Sequence, residues 1–323
     1  MRSLIVVMLV VVACNDSGGG GSPGNYADEL NTAQCNYFVS CGMFPDLAEC
    51  KLHRPVPPDV SLVAAVDHGS TVFDAGAAAA CIAAIESQSC DYTSMSAREV
   101  PQACADAIVG TGATGAMCAS NSECSSERCL VPSCQMACCI GTCDAPVPPA
   151  KLGESCAGRP CEAGLGCGGN NTCVARMPAG SPCQSIEDCD YGLGCGGIGN
   201  TCLVLPKLGE SCGVDLACGE LGAGCIAGKC TKLGLPGAAC NASSECAAYY
   251  RCDTTSHLCA INPTLGQACT GTCGDDSWCE QSGGPGTCAA RKPVGASCMS
   301  LLECQSLYCD PAAHACSLPA VCI

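Results

Sequence analysis

The sequence predicts a small disulfide-rich fold: an N-terminal α-helical, disulfide-linked domain, then an elongated array of about seven short β-hairpin or irregular cysteine-rich modules. Three observations predict it. The chain has 323 residues and 39 cysteines, yet aromatic residues are only 3% of it. A chain so poor in large side chains cannot bury a sizeable apolar core, and small domains then rely on covalent staples. Cysteine at this density marks a disulfide scaffold. Next, residues 25–110 are rich in Ala and in helical periodicity, whereas the chain beyond Gly115 is rich in Gly, Pro and Cys. Last, a unit opening Gly-x-x-Cys recurs along that second region at Cys118, Cys156, Cys183, Cys212, Cys240, Cys269 and Cys298.

Taken in order, the chain starts with an export signal. Arg2 supplies a positive charge, and Leu4–Val12 is an apolar run far too short to span a bilayer. No later segment reaches eighteen uninterrupted apolar residues, so no transmembrane helix is expected. Val11-Val12-Ala13-Cys14 resembles the lipobox of bacterial lipoproteins, with an apolar residue, a small residue before the cysteine, and the cysteine itself. The resemblance implies that residues 1–13 are removed and that Cys14 becomes the acylated N-terminus. The alternative is plain secretion with cleavage after Ala13. Parity favours lipidation: without Cys14, 38 cysteines remain, an even number. Gly18–Gly21 and the following Ser-Pro-Gly then read as a flexible tether over residues 14–24.

Residues 25–112 read as helical. Asn25 opens a helix along which Tyr26, Leu30, Ala33, Tyr37, Phe38 and Cys41 recur near helical spacing. A short helix is expected over Asp46–Leu52, before Pro55, Pro57 and Pro58 break the chain. Val72-Phe73-Asp74 leads into a helix over Ala77–Ser87, rich in the best helix former. A last helix is expected from Pro101 to Val109. Cys35, Cys41, Cys50, Cys81, Cys90 and Cys104 would tie these helices by three disulfides, and fifteen pairings are open.

Residues 113–150 form a first, atypical unit with seven cysteines: Cys118, Cys124, Cys129, Cys134, Cys138, Cys139 and Cys143. Residues 151–323 hold six four-cysteine units spaced 27 to 29 residues apart. The clearest are Cys156, Cys161, Cys167 and Cys173; Cys183, Cys189, Cys195 and Cys202; and Cys212, Cys218, Cys225 and Cys230. KLGESC recurs at Lys151 and Lys207, and GLGCGG at Gly164 and Gly192. Such repetition at a near-fixed period means internal duplication. Each unit is too small to fold on apolar burial, so two disulfides must hold it. Gly153, Gly180, Gly209, Gly237, Gly266 and Gly295 are expected to make a tight turn before the first cysteine. Units should touch mainly their neighbours. Cys322 stands outside the units.

These units resemble Dickkopf N-terminal and EB-type cysteine-rich modules. The whole layout of signal, Ala-rich helical head with GSTVFDAGAAAACIAAI, and tandem modules resembles the cysteine-rich repeat lipoproteins of large-genome Gram-negative bacteria. That resemblance implies an extracytoplasmic, lipid-anchored protein at the outer membrane or cell surface.

Candidate chemistry is sparse. His53, His68, His257 and His314 are isolated, follow no metal-ligand spacing, and pair with no nucleophile. Neither a metal site nor a cofactor nor a catalytic residue is expected. Cys134-x₃-Cys138 and Cys269-x₃-Cys273 fit zinc spacing, but export argues for disulfides; a metal-binding thiolate protein stays as an alternative. Glu187, Asp188 and Asp190, or Asp275, Asp276 and Glu280, lack EF-hand order and read as acidic loops rather than a calcium site. A net charge of −16 with no basic cluster argues against nucleic acid as a partner. Among the few aromatics of the array, Tyr249, Tyr250 and Trp278 are candidate contact residues for an extracytoplasmic protein or glycan, against packing within a module. The functional expectation is therefore a non-enzymatic surface or envelope lipoprotein, with a disulfide-rich inhibitor or toxin-like binder as the alternative.

Overall fold

A computed structural model of the chain describes residues 21–54, 60–91, 101–131, 140–168, 170–197, 199–213, 218–253, 255–269, 273, 277–281 and 286–317. Cys14, Cys134, Cys138, Cys139, Cys322, Asp275 and Asp276 lie outside these residues.

Among the described residues, the helical head has five helices and one small sheet. Helix α1 runs Pro23–Ser40, two residues earlier than Asn25, because Pro23 fits the first helical turn, where no backbone N–H is needed. Helix α2 runs Leu47–His53, and the Asp46 carboxylate accepts from the Glu49 N–H at 2.9 Å. Helix α3, Val60–Asp67, was not legible beforehand: its Val-rich sequence has no strong helical preference, and Leu62 and Ala65 stabilise it by burial. Strand β1 is Thr71–Phe73. Helix α4, Ala75–Glu86, is capped by Asp74, which accepts from the Ala77 N–H at 2.9 Å. Helix α5 is only Gln102–Asp106. The expected helix to Val109 is corrected: Ile108–Gly110 is strand β2, antiparallel to β1 with Val72 opposite Val109. Two β-branched residues in succession favour the strand once a partner is beside them.

Three disulfides close the head: Cys35–Cys50 joins α1 to α2, Cys41–Cys90 joins the end of α1 to the chain beyond α4, and Cys81–Cys104 joins α4 to α5. Apolar packing is modest. Tyr26, Leu62, Ala78 and Ala107 form one cluster; Ala33, Tyr37 and Ile85 surround the Cys41 and Cys81 sulfurs in another.

The array then repeats one design seven times; we number the units modules 1 to 7. In every module the first cysteine pairs with the third and the second with the fourth, as in Cys183–Cys195 and Cys189–Cys202 of module 3. The same holds for Cys156–Cys167 and Cys161–Cys173, for Cys212–Cys225 and Cys218–Cys230, and for Cys240–Cys252 and Cys246–Cys259. Modules 6 and 7 follow with Cys269–Cys279 and Cys273–Cys288, then Cys298–Cys309 and Cys304–Cys316. Module 1 joins the rule: Cys118–Cys129 and Cys124–Cys143 are its frame. Its three further cysteines lie in an insertion between Cys129 and Cys143.

The third and fourth cysteines of each module sit on the two strands of a hairpin, directly opposite each other. Cys195 faces Cys202, and Cys252 faces Cys259. Neither bonds its neighbour; both reach back to the loop that precedes the hairpin. The loop is thus stapled across one face of the hairpin, and cysteine sulfur takes the place of an apolar core. Cys173, Cys189, Cys202 and Cys304 are fully buried.

The turn glycine behaves as expected. From Gly153 to Gly295 it has φ between 81 and 89°, a region closed to most residues with a Cβ. A Cβ built on Gly180 meets nothing within 4 Å, so the requirement is backbone conformation alone. The turn aims the Gly180 N–H at the Cys202 carbonyl, 2.8 Å away, and this bond recurs in every module. The segment leading into a module makes a short parallel bridge with that module's second cysteine, such as Met177 with Cys189 and Lys292 with Cys304.

The modules contact their neighbours, and three of them also contact the head. Thr71 of β1 donates its hydroxyl to the Ser122 carbonyl of module 1 at 3.1 Å. Further on, the array returns to the head. The Leu221 N–H donates to the Cys90 carbonyl at 2.8 Å, and Lys232 Nζ donates to the Cys41 carbonyl at 3.0 Å. Module 5 shares a core with the head in which Phe44, Cys35 and Cys50 pack with Cys240, Cys246 and Tyr250. No helix of the described residues is long and apolar enough to cross a membrane.

Candidate functional site

The three candidate contact aromatics fall into two places. Tyr249 and Tyr250 lie where module 5 meets the head. Tyr249 has a left-handed backbone, φ 73°, and its ring stacks on Phe44 at 5.3 Å and on His53 at 5.2 Å. Tyr250 is 6% exposed, with Phe44 edge-on at 6.4 Å. Burial pushes the Tyr250 phenol well above its usual range, and the carboxylates of Glu49 and Asp46 push the same way. Both tyrosines are therefore engaged within the molecule, as is His53, whose Nε2 lies 3.1 Å from Glu49 Oε1.

Trp278 sits at the junction of modules 6 and 7, in a groove of about 1000 Å³. The strand Ser277–Glu280 carries it beside the 3₁₀ turn Leu301–Glu303 of the next module. In modules 2 and 6 the residue before the third cysteine faces the next module. In module 2 that residue is Gly166, and a Cβ there would run into the Glu187 carbonyl of module 3. Modules 2 and 3 close tightly on that glycine, and the groove between them holds about 460 Å³. Trp278 occupies the matching position of module 6. The groove beside the indole is about twice as large.

A clasp holds the wide junction together. Lys292 Nζ donates to Glu303 Oε2 at 2.6 Å and to the Ser297 carbonyl at 3.0 Å, and lies 5.4 Å from the Trp278 ring centroid. Glu303 is 5% exposed, and its other oxygen accepts from the Met299 and Ser300 N–H groups, both at 3.1 Å. Burial alone would raise its pKa; the Lys292 ammonium and the two N–H donors outweigh this and hold the carboxyl below the usual range. The groove is completed by Gln281, Thr287 and His314, all exposed, and by Met299, which is 94% exposed.

The acidic triplet Glu187, Asp188 and Asp190 has a structural use. Asp188 Oδ2 accepts from the Gln184 and Ser185 N–H groups, as Glu303 does in module 7 and Glu123 in module 1. Glu187 lies 3.6 Å from Arg176. His257 and His314 hold left-handed positions two residues before the fourth cysteine, with φ 54 and 47°. Asn171 and Asn200 stand in the same place, and their carbonyls likewise accept from the N–H of the module's first cysteine. These are residue types that tolerate such a backbone. Cysteine triplets such as Cys183, Cys189 and Cys202 are close enough for one ion, but every member is paired in a disulfide and offers no thiolate.

One signal in the sequence marks this site: the single tryptophan of the chain falls before the third cysteine, a position held by glycine in modules 2, 3 and 4 and by Arg128, Arg251 and Tyr308 in modules 1, 5 and 7. Comparison with family models, with curated proteins and with solved structures finds no match to this chain.

Proposed function

We propose that this protein is a non-enzymatic, lipid-anchored extracytoplasmic protein whose disulfide-stapled modules display binding surfaces at the envelope. The observation that carries the extracytoplasmic part is the pairing, among the described residues, of 34 cysteines in 17 disulfides, which persist in oxidising compartments. Cys14 supports the anchor, because a small residue and an apolar run precede it and a glycine tether follows. An acyl chain contributes about 0.8 kcal/mol per buried CH₂, and more than one chain secures the attachment. Rigid small modules suit recognition, since little conformational freedom is left to lose on binding. The partner class is an extracytoplasmic protein or glycan, and an acidic surface disfavours nucleic acid.

Expression in a diderm bacterium fed labelled palmitate tests the anchor. The expected result is label on the mature chain that is lost, with membrane association, in Cys14→Ser. A mature N-terminus without acyl groups by mass spectrometry would overturn it.

A further inference from the structure

We propose that the groove at the junction of modules 6 and 7 is a binding site for a neutral oligosaccharide, with the Trp278 indole as its stacking platform. The inference deepens the display reading above and rests on it. The seven modules share one backbone design, so equivalent positions along the chain show which side chains the scaffold demands. Cysteines, turn glycine and capping acid recur. The residue before the third cysteine is free to vary, and at this junction it is the one tryptophan of the chain. The groove beside the indole holds about 1000 Å³, against about 460 Å³ at the junction of modules 2 and 3, where the matching residue is glycine. The larger space lies at the upper end of the range for small-molecule sites, about 300 to 1000 Å³, which suits several sugar rings rather than one.

The chemistry of the walls selects the ligand. The groove's cation, Lys292, is spent on Glu303 and on the Ser297 carbonyl, so it does not draw an anion. A chain of charge −16 repels polyanions in any case. What remains is a flat aromatic ring beside an amide (Gln281), a hydroxyl (Thr287), an imidazole (His314) and an exposed carboxylate (Glu280). Together they offer hydrogen-bond donors and acceptors, and the Glu280 carboxylate accepts from hydroxyls while repelling anions. A neutral sugar matches both parts: its C–H face packs on an aromatic ring, and its hydroxyls exchange hydrogen bonds with short polar side chains. A peptide would ask instead for apolar side-chain pockets along a strand edge. Met299, at 94% exposure, is the one large apolar side chain of this groove besides Trp278 among the described residues, and it stands out into solvent rather than enclosing a pocket.

Because Trp278 is the single tryptophan, its emission reports on this groove alone. The full chain, with disulfides intact, is titrated with chitotetraose, maltotetraose and cellotetraose, and in parallel with polygalacturonate and a neutral Leu-Ser-Gly peptide. The expected result is a saturable change in Trp278 emission with at least one neutral oligosaccharide and with neither control. Calorimetry should then show binding weakened about tenfold in Trp278→Ala. Gln281→Ala and Thr287→Ala, both at exposed positions, should weaken it several-fold without changing the melting temperature. Absence of a saturable change with all three sugars, a stronger response to polygalacturonate or to the peptide, or unchanged affinity in the Gln281 and Thr287 variants overturns the proposal. Retention of envelope glycan with Trp278 emission unmoved rejects the groove and leaves the display reading standing. A sugar response with no retention of any envelope component supports the groove and rejects the display reading.

Discussion

The turn glycine shows how much one residue carries in a module with so little core. Gly180 has φ 87°, and a Cβ there would have open space around it. The penalty for adding one is therefore conformational, on the order of 1–2 kcal/mol for an L-residue held in the left-handed region. Gly180→Ala should destabilise module 3 by about that amount, and Gly180→Asn by less, since asparagine tolerates this backbone. Hydrogen exchange at the Gly180 and Cys202 amides is the readout. Equal protection in wild type and Gly180→Ala would mean that the turn does not limit local opening. This residue was legible from its recurrence before each first cysteine. Asp188 and Glu303 were not read as turn caps, because their partners are backbone N–H groups only three and four residues back, and acidic loops look alike in sequence whether or not they fold onto themselves.

At the scale of the element, each module is a hairpin stapled to its own loop. The count of cysteines and their period identified the modules, but spacing left the pairing open. The first-to-third, second-to-fourth pattern follows from the hairpin, which sets the last two cysteines opposite each other with both sulfurs facing the loop. Module 1 looked exceptional only because its insertion brings three extra cysteines into a regular frame. The strands β1 and β2 escaped notice because three residues carry too little periodicity. Replacing Cys183 and Cys195 together by Ser reopens a loop with sequence separation 12. The chain-entropy estimate for such a loop is about 3 kcal/mol. Because the modules fold as nearly separate units, the loss should stay in module 3. Limited proteolysis should cut between residues 178 and 204 and spare the head. Cleavage spread across the array would show that the modules fold as one cooperative block.

For the whole molecule, the decisive feature is that the array does not simply run outward from the head. Module 1 is tied to β1, and modules 4 and 5 return to the disulfides of α1, so modules 2 and 3 bridge two attachment points. This was hidden in the sequence, since Phe44 and His53 lie far from Tyr249 and Tyr250 along the chain and nothing local marks them as partners. Tyr250 is the residue through which the return can be undone. Its hydroxyl is buried and has no hydrogen-bond partner among the described residues. Removing that hydroxyl relieves a desolvation cost, so Tyr250→Phe should melt at the same temperature as wild type or higher. Tyr250→Ala deletes the ring that packs on Phe44, a loss of about 3–5 kcal/mol for a buried aromatic. The Cys240–Cys252 and Cys246–Cys259 disulfides should still hold module 5 together. The expected outcome is separation of intact module 5 from the head: a larger radius of gyration by small-angle scattering, with faster exchange in α2. An unchanged radius together with unchanged α2 protection would show that Lys232 and the Leu221–Cys90 bond suffice to hold the array against the head.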